Sequence, residues 1–331
     1  MARVLVTGGA GYIGSHTCKA LARAGHEPVV YDSLEYGFAD FVRWGPLEQG
    51  STHDRARLSA VIARYKPEAV MHFAAYIAAG ESVVDPGKFY WNNTAGTLSL
   101  LQAMREAGLG KLVFSSTAAL YGNPQSTPIA ESHPLAPINP YAHSKLFVEL
   151  MLQDFAAAHG LRWVALRYFN AAGADPDGEL GECHDPETHL IPLALRAALG
   201  TGMPLTVFGG DYDTPDGTPI RDYIHVSDLA EAHVAALGYL LAGGKPASVN
   251  LGVGKGYSVR EVLTAAERVL GMKVPRSEGP RRPGDPTELV ADPALARRLL
   301  AWTPRFTALD AIIETAARWE RSERNKGRRK S

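Results

Sequence analysis

Short apolar runs alternate with amphipathic stretches through the first half of the chain. Val4–Val6, Val29–Tyr31, Ala69–Phe73, Leu112–Ser115 and Trp163–Arg167 read as strands. Between them, Ile13–Ala24, Leu58–Tyr65, Thr94–Ala107 and Tyr141–His159 carry helical periodicity, and Pro67 closes the second of these. Apolar strands separated by helices predict a parallel sheet covered on both faces, an α/β doubly wound arrangement of the Rossmann type.

The pattern changes after about Ala171. Residues 175–185 and 209–219 are rich in Gly, Pro and Asp and read as loops. Helical periodicity returns at Pro192–Leu199, Val226–Leu241, Val259–Leu270 and Ala308–Glu320. This predicts a nucleotide-binding domain over residues 1–170 and a smaller α/β substrate-binding domain over 171–320, with some segments returning to the first. No internal repeat interrupts the reading.

Composition narrows the class. The 331 residues suit about two domains, and 46% hydrophobic with 21% charged residues is a globular mixture. A net charge of -1 argues against a surface that binds nucleic acid by charge along its whole extent. That average conceals a basic end: residues 321–331 hold six basic residues and one acid, which leaves the body at -6. Without apolar periodicity this end reads as a solvated, flexible tail, and a nucleic-acid or membrane tether is the sharper alternative. Two cysteines, Cys18 and Cys183, give no disulfide framework, and no segment approaches a spanning helix. The expectation is a cytoplasmic protein with no membrane and no nucleic-acid partner.

Candidate chemistry begins between the first strand and the first helix. Gly8, Gly11 and Gly14 form a G-x-x-G-x-x-G turn. Such a turn brings backbone N–H groups and a helix N-terminus to a pyrophosphate. Asp32 closes the second strand, where a carboxylate can accept the hydroxyls of an adenosine ribose. Ser33 and Leu34 follow it and offer no cation to a 2′-phosphate, so NAD is expected rather than NADP.

Tyr141 and Lys145 stand four residues apart at the start of a helix and share one face. Alone the spacing is weak; its value lies in following Ser115-Ser116-Thr117 at the end of a strand, where parallel-sheet sites form. Taking a proton from a sugar hydroxyl needs a base, and a nearby ammonium favours the phenolate of a tyrosine. Thr117 would hold the substrate oxygen and help pass the proton.

The glycine turn, Ser115-Ser116-Thr117 and Tyr141-x-x-x-Lys145 together resemble the extended short-chain dehydrogenase/reductase superfamily. Within it the chain is most similar to the UDP-glucose (UDP-galactose) 4-epimerase family. Supporting segments include His72–Ala75, Gly80–Val83, Asn92-Asn93, Leu166–Asn170, Arg221–Val226 and Asn250–Gly252, and the match runs from about residue 3 to about 318. The resemblance implies catalytic roles for Thr117, Tyr141 and Lys145. It implies cofactor contacts from Gly8, Gly11, Tyr12, Ile13, Gly14, Asp32, Phe73, Ala74, Asn93, Ser115, Tyr141, Lys145 and Tyr168. For a UDP-sugar it implies Thr117, Asn170, Phe208, Arg221, Arg282 and Asp285. It also implies a homodimer formed through the Tyr141 helix and the long helix before it.

The implied reaction undoes its own oxidation. Tyr141 takes the C4 hydroxyl proton while the C4 hydride passes to NAD; the 4-keto sugar turns over and the hydride returns to its other face. Sugar-nucleotide dehydratases of the same superfamily carry an Asp-Glu pair after the threonine, where this chain has Ala118 and Ala119, so dehydration is not expected. Ile77 replaces a lysine and Ser51 an aspartate found beside the cofactor in many members, which implies weaker NAD retention. Leu289 lies near the position that gates bulky N-acetyl sugars. Acetylated or pentose UDP-sugars therefore stay open as substrates, and a silent nucleotide sensor is the reading of another class. Cys183, His184, Asp185 and His189 match no usual zinc spacing, and Asp211, Asp213 and Asp216 miss a calcium loop by one residue, so no metal is expected.

Overall fold

The computed structural model of the chain describes residues 1–282 and 285–326. Seven parallel strands form the central sheet: β1 Arg3–Thr7, β2 Glu27–Asp32, β3 Leu47–Gln49, β4 Ala69–His72, β5 Lys111–Thr117, β6 Arg162–Tyr168 and β7 Ala247–Leu251. Their order is β7-β6-β5-β4-β1-β2-β3. The order reverses between β4 and β1, the switch point at whose carboxyl edge parallel sheets bind ligands.

The short apolar strands are buried on both faces, as a doubly covered sheet requires. One face packs Val4, Val6, Met71 and Val113 against helices Tyr12–Arg23 and Val226–Leu241. The other packs Leu5, Val70, Leu112 and Phe114 against Arg55–Tyr65, Gly96–Glu106 and Pro140–His159. Each fully buried aliphatic or aromatic side chain contributes about 1.5–3 kcal/mol. β7 lies far along the chain yet pairs with β6, Asn250 beside Arg167.

The second lobe has its own core. Helices Leu190–Ala198, Val259–Leu270 and Leu309–Arg321 enclose Ile191, Leu195, Val262, Leu263, Ile312 and Ile313. A capping box at Ser258 and Glu261 starts the middle helix and left-handed Gly271 ends it. A small sheet joins the lobe to the first domain: Asn170–Ala172 and Glu288–Leu289 run parallel to Ile220–His225, and Gly256–Ser258 runs antiparallel.

The basic end departs from its sequence reading. Glu323–Lys326 form a helical turn, Asn325 is buried and accepts from the Cys183 thiol at 3.3 Å, and the Arg324 guanidinium donates to the Gly178 carbonyl. Polar contacts to the 178–183 loop hold this stretch, and such contacts leave no apolar period to detect. The rest of the expected tail, 327–331, lies outside the described residues. Among the described residues no helix is long and apolar enough to cross a membrane.

Candidate active site

The glycine turn sits at the carboxyl end of β1. A Cβ on Gly14 would lie 2.2 Å from the Gly8 carbonyl oxygen, so only glycine lets the helix pack this close to the turn. At Gly11 a Cβ would meet the Gly8 oxygen at 3.4 Å as its nearest neighbour, so this face of the turn is open to a ligand. Backbone amides with an open side and a helix N-terminus behind them fit a pyrophosphate.

The Asp32 carboxylate is buried and accepts from the amides of Ala10 and Leu34, at 2.9 and 2.8 Å. Burial raises its pKa, and the two amides offset that rise only in part. Tyr12 turns away from the open side: its ring packs edge-on to His16 and His184, and its hydroxyl donates to the Gly173 carbonyl at 2.6 Å. Ile13 joins the apolar core. Ala74 closes the other side of the turn, its amide 2.5 Å from where a Gly8 Cβ would stand. Phe73 packs against His233 with ring centroids 4.7 Å apart.

Asn139 caps the helix Pro140–His159 through the amide of Ala142, and Pro140 presets its first turn. This places Tyr141 and Lys145 one turn apart, facing the end of β5. Burial raises the Tyr141 phenol, while a hydrogen bond with Thr117 lowers it. Lys145 is buried; its ammonium donates to the Ser115 carbonyl at 2.9 Å and lies 4.9 Å over the Phe114 ring. Burial pushes its pKa down to about 7. The Ser115 and Tyr168 hydroxyls are hydrogen-bonded, so Thr117, Tyr141, Lys145, Ser115 and Tyr168 form one constellation.

Beneath it lies a buried network that the sequence did not announce. Glu149, one turn beyond Lys145, accepts two hydrogen bonds from the Arg167 guanidinium, at 3.0 and 2.6 Å. It also accepts from Ser116 at 2.6 Å and Ser248 at 3.1 Å. Arg167 donates to the Tyr121 hydroxyl, which donates to Asn250 on β7. These bonds fasten the helix Pro140–His159 to β5, β6 and β7. Asn93, expected at the cofactor, is buried: it accepts from the Tyr76 amide and donates to the Tyr76 carbonyl and the Ser144 hydroxyl.

The residues expected for a UDP-sugar divide into one cluster and one strand position. Arg221 pairs with Asp285 and donates to the Pro286 carbonyl at 2.6 Å. Arg282 lies 4.2 Å over the Phe208 ring. The Asp285 amide donates to the Arg282 carbonyl at 3.4 Å and ties the two arginine sites together. Asn170 sits on the neighbouring strand, in register with Tyr223, two residues beyond Arg221. Ala118 is buried and Ala119 donates its amide to the Thr117 oxygen; both side chains are methyl groups with no proton to transfer.

The histidine segment is rearranged relative to the sequence expectation. Cys183 points to Asn325, while Glu182 and Glu187 come to His184 and His189. Glu182 lies 3.0 Å from His184 Nδ1 and contacts His189. Burial opposes charge on His184, but the two carboxylates outweigh it and raise its pKa to about 10. Asp211 pairs with Arg281, and Asp216 accepts from Thr218 and Ser258, so the acidic loop is held by protein donors.

The profile of the NAD dependent epimerase/dehydratase family matches residues 4–252. The UDP-glucose 4-epimerase of Rhizobium meliloti strain 1021 is 55% identical, with 98% of each chain covered. The crystal structure of UDP-glucose 4-epimerase from Brucella ovis in complex with NAD is 54% identical, with a TM-score of 0.94 over 96% of this chain and 98% of that one. The structure of the Bifidobacterium longum UDP-glucose 4-epimerase in complex with NAD+ and UDP is 38% identical, with a TM-score of 0.93 over 98% and 99% of the two chains.

Proposed function

The chain belongs to the NAD dependent epimerase/dehydratase family, and from that premise we propose that it interconverts UDP-galactose and UDP-glucose by NAD-dependent 4-epimerisation. The observation that carries the reading is one proton-handling set, Thr117 and Tyr141 with buried Lys145, with two alanines directly after Thr117. One base suits removal and return of one proton; a dehydration needs a second acid and base.

Bound NAD supplies the acceptor and then the donor of the C4 hydride. Gly8–Gly14 would hold its pyrophosphate and Asp32 its adenosine ribose. Thr117 holds the C4 oxygen of the sugar and Tyr141 accepts its proton. When protonated, Lys145 would place positive charge one helical turn from the phenol and favour the phenolate, against the burial that raises the Tyr141 pKa. Arg221 and Arg282 grip the diphosphate, Phe208 lies against the uracil, and Asn170 and Asp285 complete the UDP contacts. With binding energy concentrated on UDP, the keto sugar stays free to turn its other face before Tyr141 returns the proton.

We also propose a homodimer. Trp91 and Leu98, on the helical stretch from Tyr90 to Glu106, and Phe147 and Leu150, on the helix Pro140–His159, are exposed large apolar side chains. Tyr90 and Phe147 touch across the two helices, with ring centroids 5.8 Å apart. Covering this face with its copy buries all four. Light scattering checks it: two chains per particle are expected, and a monomer at micromolar concentration contradicts it. A cytoplasmic setting accords with two free thiols, Cys18 and Cys183.

A substrate panel tests the activity. Purified protein supplied with UDP-galactose and no added reductant should yield UDP-glucose. Turnover of an N-acetylated or pentose UDP-sugar alone, without UDP-galactose, overturns the substrate assignment. NAD binding with no epimerisation of any UDP-sugar overturns the enzyme reading.

A further inference from the structure

The loops that leave β2 and β4 stand on either side of β1 and its glycine turn. Both are anchored at their bases. After β2, Leu34 donates its amide to Asp32, and the Phe38 amide donates to the Ala10 carbonyl at 3.0 Å. After β4, Phe73 and Ala74 donate to the Thr7 carbonyl, and Asn93 holds both backbone groups of Tyr76.

Beyond these anchors the loops meet. The Tyr76 hydroxyl donates to the Glu35 carboxylate, 3.0 and 2.9 Å from its two oxygens. The Tyr36 and Tyr76 rings pack edge to face with centroids 5.6 Å apart. The Lys88 ammonium lies 4.6 Å over the Tyr76 ring and 6.0 Å over the Tyr36 ring, and donates to Glu81 at 2.6 Å. Phe89 backs Tyr76 from the protein side. Burial, followed by the Glu35 carboxylate, pushes the Tyr76 phenol up to about 12, so it remains a donor at neutral pH.

We propose that Glu35, Tyr36, Tyr76 and Lys88 form a clasp that closes over the pyrophosphate region of the dinucleotide and sets how long the cofactor stays bound. The inference rests on the NAD reading and adds residues to it. A dinucleotide laid along Gly8–Gly14 crosses the end of β1 between the two loops, so its departure requires the Tyr76–Glu35 bond to open. A hydrogen bond to a carboxylate with two flanking ring contacts forms a kinetic barrier rather than a large share of the binding energy. It counters the weaker retention expected from Ile77 and Ser51.

The test follows exchange of the cofactor. Protein loaded with NAD is mixed with excess NAD deuterated on the nicotinamide ring, and the bound fraction is followed by mass spectrometry. Tyr76→Phe removes one hydroxyl and should exchange at least tenfold faster than the unmodified protein. Glu35→Ala, at an exposed loop position, should match it, and the double variant should be no faster than either single one because both break the same bond. Melting curves establish that each variant is folded; where Tyr76→Phe is not, Glu35→Ala carries the test. Exchange within twofold of the unmodified protein in folded variants overturns the clasp. The two readings fail separately: an unmodified protein that holds NAD but epimerises no UDP-sugar defeats the functional proposal and leaves the exchange result standing.

Discussion

The two walls of the site are built in different ways. On the Rossmann side, Lys145, Glu149, Ser116, Arg167 and Asn93 are buried, and each makes a hydrogen bond that ties the helix Pro140–His159 to a strand or to the neighbouring helix. On the other side, the Arg221–Asp285 pair and Arg282 on Phe208 are partly exposed, and Arg282 and Asp285 are carried on a loop. A rigid wall suits groups that must hold a proton donor and acceptor to within a fraction of an ångström. A looser wall suits a ligand that enters and leaves each turnover while its sugar rotates. The contrast accords with the proposed roles, chemistry on one wall and grip on the other.

Substitutions should separate the walls. The largest effect is expected at Tyr141: Tyr141→Phe should lower kcat by about 10³–10⁴ with NAD content and melting temperature retained, as loss of a general base does. Activity within tenfold of normal would remove Tyr141 from the base role. Next is the buried pair beneath it. Glu149→Ala leaves the Arg167 guanidinium without its buried partner and should destabilise the fold by about 3–5 kcal/mol, read from denaturant unfolding.

On the gripping wall, Arg221→Ala should raise KM for the UDP-sugar about 10–100-fold and change kcat less. If kcat fell as far as in Tyr141→Phe with KM unchanged, the division between the walls would fail.

A further effect is expected in acid. Burial lowers the pKa of His72 to about 3, of His225 to about 3 and of His233 to about 4. Their folded values lie below the unfolded value near 6.5, so the unfolded chain gains protons first as pH falls. Stability should be highest above pH 6.5 with respect to these groups and decline from there toward pH 4. Each histidine contributes up to about 1.4 kcal/mol per pH unit. Unfolding curves between pH 7 and 5 check the sign; a fold that strengthens over this range contradicts it.

The rigid wall was also the more legible in sequence, but only in part. Gly8–Gly14 and Tyr141 with Lys145 are local patterns set by a turn or one helical period, so spacing discloses them. Glu149 with Arg167 and Ser116 are 18 and 33 positions apart, and only the pairing of β5, β6 and the helix brings them together. The Tyr76–Glu35 contact spans 41 positions across β1. β7 is not legible in the local pattern, because Ala247–Leu251 lies among segments of the second lobe and its partner, β6, is some 80 residues away. Tyr12 was placed by its motif, whereas its side chain follows Gly173 and His184, contacts that no local period encodes.

The central claim is that one hydride leaves C4 and the same hydride returns. UDP-galactose deuterated at C4 is incubated with the purified protein in ordinary water, and the product is examined by proton NMR and mass spectrometry. The account predicts UDP-glucose with deuterium retained at C4 and none released to solvent. UDP-glucose that has lost its deuterium to water would mean a proton, not a hydride, is moved at C4, and would contradict the account.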